Sequence, residues 1–107
     1  MSRIRIIRNE DIETVLIGVP KGHNHLRVCM KLKNNSAIIF QEATMANILR
    51  AYVTIKTHPT IKAQELKMHV LNENSQKEGY ALHQLLETSR SQEEIERRLR
   101  ESLEKST

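Results

Sequence analysis

Around Phe40 the apolar residues of this chain change their repeat, and that change limits the folds open to it. Before Phe40 they recur every second residue, the spacing of a pleated strand with one buried face. After it they recur every third and fourth, the spacing of one face of a helix. Strands first and helices afterwards, within 107 residues, predict one small α+β domain over 1–107 rather than alternating βαβ units or two cores.

The cleanest strand signal is 25–33, with Leu26, Val28, Met30 and Leu32 on one face and Arg27, Cys29, Lys31 and Lys33 on the other. Residues 12–19 are rich in β-branched side chains and stop at Pro20, where Lys21, Gly22, His23 and Asn24 follow as a turn. Asn34, Asn35 and Ser36 supply a tight turn into a short strand at 37–41. Arg3, Ile4, Arg5 and Ile6 alternate within 3–8, which reads as an edge strand whose outward arginines discourage further pairing. The expectation is an N-terminal antiparallel β-meander of three to four strands packed against helices.

Over 43–57, Met45, Ile48, Leu49, Tyr52 and Ile55 make a single helical stripe, expected to lie on the sheet, with Asn47, Arg50 and Thr54 elsewhere on the helix surface. Pro59 ends this helix, because the residue before a proline is pushed out of the helical region. Segment 60–71 carries two signals. Leu66, Met68 and Val70 alternate like a strand, whereas 63–68 are good helix formers placed after a proline, and the helix is the preferred reading. Residues 72–79 read as a polar loop, and 80–87 fit either a helix or a returning strand.

Ser91 and Glu94 match a capping box. Glu93 to Arg97, Glu94 to Arg98, Glu96 to Arg100 and Glu101 to Lys105 are acid-to-base pairs at the favourable four-residue spacing. A helix over 91–105 follows, completing a helical C-terminal half. Its stripe of Ile95, Leu99 and Leu103 is too narrow for a central position, so the helix is expected on the rim of the domain or against another subunit.

Apolar residues make up 38% of the chain and aromatic ones 3%, so the core is small and aliphatic, and burial against a second copy would add to it. No apolar run approaches a membrane span, and Arg3, Arg5 and Arg8 lead into Glu10, Asp11 and Glu13 rather than an apolar signal sequence. A soluble, cytoplasmic protein is expected. The lone Cys29, with no partner for an internal disulfide, agrees with that compartment.

No constellation reaches the specificity of a catalytic or metal motif. His23 and His25, with Cys29 or His58 as a third donor, fall short of a converging ligand set and read as solvated turn residues. Cys29 lies between Arg27 and Lys31, but no neighbour in sequence supplies a base. Gly18 and Gly22 lack the spacing of a phosphate loop. The expectation is a non-catalytic protein without metal or cofactor.

Two functions are carried forward, with an enzyme role ranked third. The first is a homodimeric protein-interaction module, with Ile95, Leu99 and Leu103 on the interface. The alternative is nucleic-acid binding. Over 21–70 eight bases face two acids, and Arg27, Lys31 and Lys33 on one strand face, with Arg50 on the following helix, are the candidate phosphate contacts. Against it stands the scarcity of stacking rings, limited to Phe40, Tyr52 and Tyr80.

Overall fold

The computed structural model describes residues 3–72 and 82–106. Strands β1 (Ile12–Gly18), β2 (Arg27–Leu32) and β3 (Ala37–Gln41) form an antiparallel sheet in that spatial order. Helix α1 (Glu42–Thr57) follows without a linker. Strands β4 (Leu66–Val70) and β5 (His83–Glu87) pair as a separate antiparallel ribbon, and helix α2 (Gln92–Lys105) closes the order.

Local chemistry explains the first sheet. The β1–β2 connection contains a turn in which Pro20 carbonyl accepts from His23 N at 3.0 Å, and Gly22 at φ 86° occupies the left-handed position that only glycine adopts freely. Between β2 and β3, Asn35 takes that role at φ 68°, a region asparagine tolerates better than most residues. The Asn34 Oδ1 accepts from Ser36 N at 3.1 Å and fixes the same turn. These turns set a register in which Leu16, Cys29 and Ile39 lie side by side, as do Ile17, Val28 and Phe40.

Three expectations are corrected. Residues 3–8 join no sheet; the chain instead bends at Arg8, whose N–H donates to Asp11 Oδ2 at 2.9 Å, before β1 begins. Segment 60–71 contains β4, not a helix. His58 Nδ1 accepts from Thr60 N and Ile61 N at 3.1 and 3.0 Å and turns the chain away from α1, and Leu66, Met68 and Val70 then pair with Glu87, Leu85 and His83. Among the described residues the second half therefore holds a ribbon as well as helix α2, rather than helices throughout. The loop read over 72–79 and the position of Tyr80 lie outside the described residues, apart from Asn72.

The third correction concerns α1. Of the stripe expected to cover the sheet, Ile48, Leu49 and Tyr52 are 44%, 53% and 58% exposed, beside Val53 at 54%, while Met45 and Ile55 are half-buried. Inward the helix turns Asn47, which is buried, with Ala43, Thr44, Met45, Ala51, Thr54 and Ile55 half-buried. Asn47 Nδ2 donates to Gln84 Oε1 of β5 at 3.2 Å, tying the helix to the ribbon. The buried apolar set among the described residues is only Val28, Leu32 and Ile95.

Helix α2 starts as its capping residues require, Ser91 Oγ accepting from Glu94 N at 3.3 Å. Of the expected ion pairs, Glu94–Arg98 and Glu96–Arg100 form, while Arg97 reaches Glu94 and Glu101 instead of Glu93. The helix is fastened at its first turns. Gln92 Oε1 accepts from Lys62 N at 2.7 Å, and Glu65 accepts from Thr88 Oγ1 and Arg90 Nε at 2.9 and 3.0 Å, with Arg98 3.9 Å away. The Arg90 hydrogen bond above all, then that from Thr88, holds the Glu65 carboxyl below the usual carboxylate range.

Candidate interaction surface

Helix α1 carries four exposed large apolar side chains, Ile48, Leu49, Tyr52 and Val53. At 100° per residue, Met45, Leu49, Tyr52 and Lys56 follow the spacing four, three, four, with Glu42 three residues before Met45. This is a heptad seam that is apolar in the middle, acidic at its N-terminal end and basic at its C-terminal end. Ile48 and Val53 flank it and widen it. Glu42 stands where an acid favours the helix dipole, and its Oε1 also accepts from Leu26 N at 2.6 Å, which anchors the start of β2 to the start of α1.

The residues singled out in sequence lie on several elements. Arg27, Lys31 and Lys33 lie on the face of β2 and its exit turn that points away from buried Val28 and Leu32, and Arg50 is exposed on α1. Arg27 turns its guanidinium back to the carbonyls of His25 and Leu26, at 3.3 and 3.2 Å. Between Arg27 and Lys31 the sheet presents Leu16 and Ile39, both more than half exposed, on either side of Cys29. Of the α2 stripe, Ile95 is taken up by the chain's own core, and Leu99 and Leu103 remain exposed.

The histidines do not converge. His25 Nδ1 lies 3.8 Å from Glu42, His58 caps the chain after α1, and among the described residues no group of three His, Cys, Asp or Glu side chains comes together. An open cleft of about 360 Å³ lies between the 61–64 segment and the start of α2, lined by Ile61, Ala63, Thr88, Arg90 and Ile95 among others. Its one cation, Arg90, is turned to Glu65. Among the described residues no helix is long and apolar enough to cross a membrane.

The architecture defines a small α+β chain whose most coherent surface is an apolar helix face rather than a pocket of reactive groups. No protein-family model, curated protein or solved structure matches the chain.

Proposed function

We propose that this protein is a homo-oligomeric interaction module, whose working unit is an assembly of identical chains. The observation that carries this reading is the outward apolar face of α1, four large side chains left 44–58% exposed by the chain's own fold. Contiguous surfaces of this kind on soluble chains are sites of association.

The alternative, nucleic acid on the outer sheet face, rests on exposed Lys31 and Lys33. It is weaker, because Arg27 is spent on its own backbone and neither Phe40 nor Tyr52 stands on that face to stack a base. Light scattering on a sizing column separates the two. The homo-oligomeric reading requires at least twice the monomer mass at micromolar concentration, unchanged by mixed nucleic acid. A monomer whose mass rises with nucleic acid at low salt and falls back at high salt would replace it with the alternative.

A further inference from the structure

We propose that α1 is the contact element of that assembly, pairing antiparallel with α1 of a second copy about a twofold axis at Leu49. This rests on the homo-oligomeric reading and adds its geometry. The argument is charge order along the seam. With Leu49 on the axis, Glu42 falls opposite the partner's Lys56 at both ends, Met45 opposite the partner's Val53, and small Ala46 opposite the partner's bulky Tyr52. A parallel pair would set Glu42 against Glu42 and Lys56 against Lys56, so the seam selects one direction and excludes the other. Antiparallel packing also aligns the two helix dipoles favourably.

Two other apolar surfaces lack this self-complementarity. A twofold contact through the outer sheet face would bring the flanking Arg27 and Lys31 of both copies toward one another. On α2 only Leu99 and Leu103 are exposed apolar positions, both within a ladder of ion pairs. The α1 face joins an apolar middle to complementary ends.

The test uses the full chain in sedimentation equilibrium, with three sets of variants. Leu49→Glu buries two carboxylates at the axis and is expected to leave only monomer. Because a protomer that folds only as a dimer would unfold on losing its partner, two milder variants accompany it. Lys56→Glu sets like charges opposite Glu42 of the partner subunit at both ends and is expected to weaken dimerisation about tenfold, with the loss shrinking at high salt. In a Cys29→Ser background, Met45→Cys combined with Val53→Cys should oxidise to a covalent dimer, whereas Met45→Cys alone should not. A dimer indifferent to all three changes overturns the α1 interface and leaves self-association standing. Self-linkage through position 45 alone overturns the antiparallel direction. A wild-type monomer overturns both this proposal and the reading beneath it.

Discussion

Single side chains fasten the periphery of this molecule. Glu65 joins the approach to β4, the exit from β5 and the side of α2 through Thr88, Arg90 and Arg98. Its carboxyl is held below the ordinary value of 4.5 chiefly by the Arg90 hydrogen bond, so in acid the unfolded chain takes up its proton first. The stabilisation is therefore complete above that ordinary value and is lost as pH falls through the lowered folded one. Glu65→Gln should flatten the acid limb of the stability curve below about pH 4.5, measured by denaturant midpoints across pH; an unaltered limb would place that sensitivity elsewhere, Glu94 with Arg97 and Arg98 being the other such group. Residue-scale chemistry was largely legible. The turn at Asn34, Asn35 and Ser36 and the cap at Ser91 depend on atoms a few positions apart, which the sequence displays directly. The Glu65 cluster was not legible, since it joins residues 23 to 25 positions apart.

At the scale of elements, the ribbon β4–β5 and α1 depend on one another. A two-stranded ribbon is marginal alone, and this one leans on α1 through the Asn47–Gln84 hydrogen bond. Asn47→Ala should cost about 1 kcal/mol, because the change removes a part-buried hydrogen bond across that contact. Amide exchange in β4 and β5 should quicken together, and a ribbon that exchanges at the wild-type rate would show that it holds its shape without α1. Periodicity located β1, β2, β3, α1 and α2 to within a few residues, since each is long enough to display its own repeat. It failed for β4. The stretch 63–68 favours helix by composition, and a pairing with a strand 13 or more residues away overrode that preference. It failed also for 3–8, where alternation was present but no strand lay alongside to pair with.

The core of the whole molecule is small. Among the described residues its buried apolar members are Val28, Leu32 and Ile95, and a chain that assembles as proposed would gain stability from association. The unfolding temperature should then rise with protein concentration, by about 3–6 °C for each tenfold increase, as read by calorimetry. A midpoint independent of concentration would mean that the single chain holds itself together. By itself the sequence determined the α+β class, a meander of three to four strands with its turns, and the helices near 43–57 and 91–105, because periodicity, turn chemistry and capping act between near neighbours. Only the tertiary structure decided that 66–70 is a strand and that α1 turns Asn47 inward and Leu49 outward. A helix repeat marks which residues share a face, but the packing of the other elements selects the face that is buried.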